Sequence, residues 1–249
     1  MQIEGCTAIV TGGNRGIGQG FVDELLEEGA ARVYIGSRNP ADAEALAATA
    51  PDRLRIIELN VANEDQVAAA AEQCRDVTLV VNNAGVFNMQ TLLGAPDMGS
   101  AREEMNVNYF GMLSMCRAFA PIIESNGGGA IANVLSAGGI VSVPSMGGYS
   151  PSKFAARAAC NCMRAELAPR GIHVAALIVG SVKTRMAAHV KHVKQSEPRD
   201  IAKAGLYAVV NKIDEHDTDP HAISVRAALA RDPSGLAASM AQALAATQK

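Results

Sequence analysis

An excess of charge of either sign is missing from this chain. In 249 residues, 22 Lys and Arg stand against 25 Asp and Glu, a formal net charge of −3. So balanced a chain offers a polyanion no global field, which argues against a generic nucleic-acid binder. Charged side chains are few, 19% against 49% hydrophobic, a ratio that supports a large buried core and excludes intrinsic disorder. Long hydrophobic runs are also absent, and none approaches the roughly 18 apolar residues of a membrane span. The first ten residues carry Glu4 where a secretory leader would be basic. The chain is therefore expected neither to span a membrane nor to be exported by that route. Cysteines number only five, Cys6, Cys74, Cys116, Cys160 and Cys162, an odd and scattered set suited to buried thiols in a reducing compartment. A cytoplasmic protein is expected.

What is present is an alternation. Short apolar runs at Thr7–Val10, Arg32–Ile35, Leu54–Leu59, Thr78–Val81, Ala130–Leu135 and Ile172–Val179 are separated by longer helical patterns. That order is the mark of an α/β fold, a doubly wound parallel sheet buried on both faces by crossover helices. A Rossmann-like strand order 3-2-1-4-5-6 is the default. The stretches Ser100–Ser125 and Tyr149–Pro169 read as long helices buried along more than one stripe, and Arg199–Asn211 and Ala222–Thr247 read as Ala-rich helices. No linker divides the chain, so residues 1–249 are taken as one domain with a helical C-terminal extension. Ile213–Ala222, with three acids, two histidines and a proline, leaves a seventh strand short or absent.

The first strand runs into Thr11-Gly12-Gly13-Asn14-Arg15-Gly16-Ile17-Gly18, and a helical pattern begins at once from Ile17 to Glu28. Glycines there permit a tight turn, close backbone approach to a diphosphate and helix-on-strand packing, while the helix N-terminus favours an anion. The spacing G-x3-G-x-G differs from the common G-x-G-x-x-G. Further along come Asn82-Asn83-Ala84-Gly85 after strand four, Asn108 within Asn106-Val107-Asn108-Tyr109, and Tyr149-x-x-x-Lys153 thirteen residues after Ser136. In this order and spacing the set resembles the short-chain dehydrogenase/reductase family, over roughly residues 5 to 210.

The resemblance implies an oxidoreductase that moves a hydride reversibly between a nicotinamide cofactor and a ketone or secondary alcohol, with Asn108, Ser136, Tyr149 and Lys153 as the catalytic set. Residue chemistry agrees. Positions four apart share a helix face, so Lys153 is expected to hold its ammonium near the Tyr149 hydroxyl across a bound ribose and favour the phenolate of a group that ordinarily titrates near pH 10. Ser136 would donate to the substrate carbonyl oxygen. By position the resemblance gives as cofactor contacts Gly12, Asn14, Arg15, Gly16, Ile17 and Gly18 in the first turn, Ser37 and Arg38 after strand two, Asn60 and Val61 after strand three, and Asn83, Ala84, Gly85 and Val107. Tyr149, Lys153, Val179, Gly180, Val182 and Thr184 complete that set. Two departures stand out: Val179-Gly180 where the family often has Pro-Gly, suggesting a less rigid turn, and Asn60 where it commonly has Asp.

Twenty residues beyond Gly18 lies Arg38, with no acid at Ser37. An acid there accepts from ribose hydroxyls, whereas an arginine suits a 2′-phosphate. With Arg15 in the first turn, the cofactor is expected to be NADP(H). The segment Thr184–Pro198 carries apolar Met186, Ala187, Ala188 and Val190 with polar Lys191, His192 and Lys194, and is expected to lie as a helix over the substrate. Gly138–Val143 and Val86–Met89 would supply the other walls of an apolar pocket. His173, His189, His192, His216 and His221 complete no recognised ligand set, and no metal is expected. Cys160-Asn161-Cys162 is not a redox pair. Open alternatives are a catalytically silent dinucleotide sensor, or the same chemistry on a 3-oxoacyl thioester, steroid, sugar or small aromatic ketone. A homodimer or homotetramer through the Ala-rich faces of the two long helices is expected.

Overall fold

Seven short strands, β1 (Thr7–Thr11), β2 (Arg32–Ser37), β3 (Leu54–Glu58), β4 (Leu79–Asn82), β5 (Gly129–Val134), β6 (Ile172–Ile178) and β7 (Glu215–Asp217), build one sheet in the computed structural model, which describes residues 1–188, 190 and 193–247. All pair parallel, in the order β3-β2-β1-β4-β5-β6-β7. The six strands read from the sequence are present with ends moved by one or two residues, and a three-residue seventh joins them. Its acids do not prevent pairing because arginines neutralise them: Arg157 Nε lies 2.7 Å from Glu215, and Arg226 Nε 2.5 Å from Asp217.

Strand alternation sorts side chains between the two faces. Ile9, Val80 and Ile131 stand side by side in register and enter one core with Met115, Phe119 and Cys160. Val10, Val81 and Ala132, the next register row, enter the other core with Phe21, Leu25 and Leu206. Helices α1 (Gly16–Glu27) and α7 (Pro198–Val210) cover the second core, and α2 (Glu44–Ala47) is a short turn after β2. The first core lies under α3 (Glu64–Gln73), α5 (Met112–Ser125) and α6 (Tyr149–Leu167), and the short α4 (Gly99–Met105) leads into α5 from its side. Among the described residues no helix is long and apolar enough to cross a membrane.

Three expectations need correction. Ser100–Ser125 is not one α-helix, because a π-helical turn at Asn106–Gly111 separates α4 from α5. Ala222–Thr247 is two helices, α8 (Pro220–Arg231) and α9 (Pro233–Thr247). Pro233 has no N–H to continue α8, and Asp232 starts α9 by accepting from Gly235 N at 2.9 Å. The expected helix over 184–198 is absent among its described residues before α7 begins at Pro198. Thr184–Ala188 forms turns, and a parallel bridge between Val182 and Ser196 brings the two ends of the segment together. His189, Lys191 and His192 lie outside the described residues.

Candidate active site

The strand order reverses between β1 and β4, and the crevice beyond their carboxyl ends is where open α/β sheets place ligands. Gly12 (φ 62°) and Gly16 (φ 55°) take the left-handed backbone that folds the β1–α1 turn. Asn83 fastens this turn to the end of β4: its Nδ2 donates to Thr11 O at 2.9 Å and Gly12 O at 3.2 Å. Thr11 Oγ1 in return accepts from the backbone N–H of Asn83 and Ala84, both at 2.9 Å. Gly18 lies behind the turn and not on the cavity wall, for a Cβ there would sit 2.1 Å from Gly12 O. It is a packing glycine.

A cavity of about 850 Å³ opens from this turn. Gly12, Asn14, Arg15, Gly16 and Ile17 line one end, with Ser37 and Arg38 after β2 and Asn60 and Val61 after β3. Arg15 and Arg38 are exposed and in no ion pair among the described residues, while Ser37 is buried and donates to Asn39 O at 2.8 Å. Asn60 Oδ1 accepts from Ala62 N at 3.2 Å. Asn83, Ala84, Gly85 and Val107 form the middle, and Val179, Gly180, Val182 and Thr184 the far wall. The Val179-Gly180 turn is tied down after all: Gly180 N donates to Asp219 Oδ2 at 2.6 Å, and the other oxygen of this 4% exposed carboxylate caps α8 through His221 N and Ala222 N. A neighbouring helix thus supplies the rigidity that proline would have given.

Ser136, Tyr149 and Lys153 face the same cavity. Ser136 Oγ accepts from Gly138 N at 3.0 Å, which leaves its own proton for another acceptor, and it lies near enough to the Tyr149 phenol to favour the phenolate. Burial pushes that phenol above its usual range; the Ser136 contact opposes this, and the Glu104 carboxylate adds to it. Lys153 takes its acceptor from another element. Its Nζ donates to Val134 O at 2.9 Å and stands 5.7 Å from the Tyr149 ring centroid. A buried ammonium needs an acceptor, and the carbonyl at the end of β5 provides one. Burial lowers the Lys153 ammonium to about 8.

Asn108 lies behind the cavity wall, 2% exposed within the π turn. Its Oδ1 accepts from Val86 N at 2.9 Å, and its Nδ2 donates to Val86 O at 2.9 Å and Ser152 Oγ at 3.0 Å. It therefore locks the loop after β4 onto α6. The expected wall at Gly138–Val143 does not line the cavity, because a short 3-10 turn at Ala137–Gly139 folds Ile140 and Val141 into the core. Of Val86–Met89, only Val86 lines it.

A family model for short chain dehydrogenases matches residues 6–195. The chain belongs to the short-chain dehydrogenase family. It is an oxidoreductase of that family, and relatives extend the likeness beyond the matched segment. A 3-alpha-(or 20-beta)-hydroxysteroid dehydrogenase of Mycobacterium bovis is 31% identical over 206 residues, covering 81% of this chain and 76% of the relative. A 3alpha-hydroxysteroid dehydrogenase of Mediterraneibacter gnavus is 31% identical over 228 residues, covering 83% and 90%. Among solved structures, a short chain dehydrogenase from Burkholderia cenocepacia in complex with NADP is 42% identical with a TM-score of 0.90, covering 96% of this chain and 99% of that one.

Several lining residues of this short-chain dehydrogenase escaped sequence reasoning: Asn39, Asp42, Leu59, Val134, Leu135, Arg185 and Gln195. Leu59, Val134 and Leu135 could have been found, since each sits where a strand runs into the crevice. Asp42 and Gln195 arrive through loop folding and carry no local signal. Among the described residues no three His, Cys, Asp or Glu side chains gather as a metal site.

Proposed function

We propose that the chain reduces ketones, or oxidises the matching secondary alcohols, with NADP(H), and that Tyr149 is the group that gives or takes the proton. The observation carrying this reading is that Ser136, Tyr149 and Lys153 line the same cavity as the Gly-rich turn and two arginines that form no ion pair among the described residues. The donor set fits a phosphorylated dinucleotide. Gly12 and Gly16 keep the turn free of side chains where a diphosphate would approach, the N-terminus of α1 offers its N–H groups, and Arg15 and Arg38 offer forked donors for a 2′-phosphate. The Burkholderia neighbour crystallised with NADP supports the same choice. Bound there, the nicotinamide supplies or accepts the hydride.

The protein's own groups handle the proton. Ser136, its oxygen already accepting from Gly138 N, is free to donate to a carbonyl oxygen where negative charge develops. Tyr149 delivers its proton to that oxygen, and in the reverse direction removes it. Lys153, cationic below about pH 8, lies over the ring and favours the phenolate left behind. Asn108 is a positioning residue here, fixing Val86 and Ser152 around the site.

The substrate is read as an apolar ketone. Met186, Ala187 and Ala188 on the covering segment, with Val86 and Leu135, supply apolar wall, and the hydroxysteroid dehydrogenase relatives favour the same class. One domain, operating in a reducing compartment as a homo-oligomer, completes the reading; the five cysteines are unpaired. A panel of steroid, aliphatic, 3-oxoacyl and sugar carbonyls with NADPH and NADH tests it, alongside Tyr149→Phe. Apolar ketones should turn over best with NADPH, and the variant should lose roughly 10²–10⁴ in turnover while binding NADPH normally. Near-normal turnover by Tyr149→Phe would refute the role of Tyr149.

A further inference from the structure

Glu104 on α4 is a carboxylate only 2% exposed, and among the described residues no cation pairs with it. Its Oε1 accepts from Asn88 N at 2.7 Å. Its Oε2 lies against Gly148, the residue just before α6, so closely that a Cβ there would stand 2.5 Å away. Asn88 is gripped twice more by the same helix, its Nδ2 donating to Glu103 Oε2 at 2.9 Å and Ser100 O at 3.3 Å. Its chain neighbour Phe87 packs its ring on the Tyr149 ring, centroids 5.0 Å apart at 53°. A single buried acid therefore touches both segments that frame the phenol. Packing alone would be better served there by an apolar side chain, since a buried charge without a counterion is costly.

We propose that Glu104 is a positioning residue of the active site: its carboxylate holds Asn88, and through it Phe87, against the Tyr149 ring, and seats the start of α6 at Gly148 so that the phenol stays beside Ser136. This rests on the reading of Tyr149 as the acid–base group. The charge has its own effect. The titratable groups bearing on Glu104 are Glu103 on its own helix and Tyr149 from α6, while the loop at 83–98 brings the Asn88 N–H. Over the alkaline range in which a phenol titrates, Glu104 is ionised and disfavours the phenolate.

Two full-length variants test the proposal. Glu104→Gln keeps the size and the acceptor for Asn88 but removes the charge; Glu104→Leu removes both. Ultraviolet titration of the phenols, each protein taken as a difference against its Tyr149→Phe counterpart, follows Tyr149 without requiring activity. In Glu104→Gln, Tyr149 should titrate at a lower pH, and the alkaline limb of kcat/KM should move the same way. In Glu104→Leu, kcat/KM for the carbonyl compound should fall about tenfold or more, with NADPH affinity within about twofold and the unfolding midpoint unchanged or raised, a combination that a merely structural role would not give. An unmoved phenol titration in Glu104→Gln would overturn the proposal; so would near-normal kcat/KM in Glu104→Leu. The Gln variant decides alone where the Leu variant does not fold. A wild-type protein that reduced no carbonyl compound would remove the functional reading, while the phenol titration would still judge Glu104.

Discussion

Arg38 stands exposed at the cavity rim and forms no ion pair among the described residues, so its guanidinium faces a ligand. Charge-assisted bonds from arginine to phosphate have the strength to set cofactor choice. Arg38→Ala should weaken NADPH binding roughly tenfold to hundredfold and leave NADH almost unchanged, as fluorescence titration with each cofactor would measure. Lys153 makes a different statement, about stability. Burial lowers its ammonium from 10.5 to about 8, so below pH 8 the folded chain carries a charge it would bury more cheaply as the neutral amine. Between pH 8 and 10.5 the unfolded state binds more protons at this residue, and its contribution to stability rises with pH. Lys153→Met lacks that term. Thermal unfolding of both proteins should show the wild type gaining on the variant across this window, by at most about 3 kcal/mol, whereas a constant difference would mean that the ammonium is not destabilised by burial.

Asp219 shows how one side chain can serve two elements. It caps α8 and holds Gly180 in the turn after β6. Asp219→Ala should cost about 0.5–2 kcal/mol for the lost cap, and should also weaken NADPH binding because the far wall loosens; unfolding and cofactor titration separate the two effects. Such a link is invisible to a reading of local pattern, which saw only that proline was missing at Val179. The strands were legible because each is a short apolar run between turn residues, whereas the Gly-rich turn, Ser136, Tyr149 and Lys153 were picked out because their order and spacing resemble the family's, and they line one cavity. Hidden were features set by tertiary contact: the π turn at Asn106–Gly111, the folding of Ile140 and Val141 into the core, and the turn structure of 184–188 in place of a helix. The acceptor of the Lys153 ammonium was hidden for the same reason, since the Val134 carbonyl belongs to another element.

For the molecule as a whole, the seven-stranded sheet leaves large apolar side chains on the outer faces of its helices. Phe110 is 52% exposed, beside a second cavity between α3 and α5, and Phe154 on α6 is 36% exposed. Aromatic groups of this size are favoured in protein interfaces. Light scattering at micromolar concentration should give the mass of two or four chains, and Phe110→Glu should shift it toward one; a wild-type mass near 25.8 kDa would refute the oligomer. The π turn between α4 and α5 has one further consequence. An α-helix given one extra residue would be rotated beyond it by about 100°; the wider i→i+5 turn takes that residue in, so the two halves of this rod keep their facing. Glu104 faces the phenol from the first half, and Met115 and Phe119 face the core from the second. Winding all of Asn106–Gly111 as a plain α-helix would swing one half away from its target, so the π turn is what lets a folded core and an aligned active site share one rod.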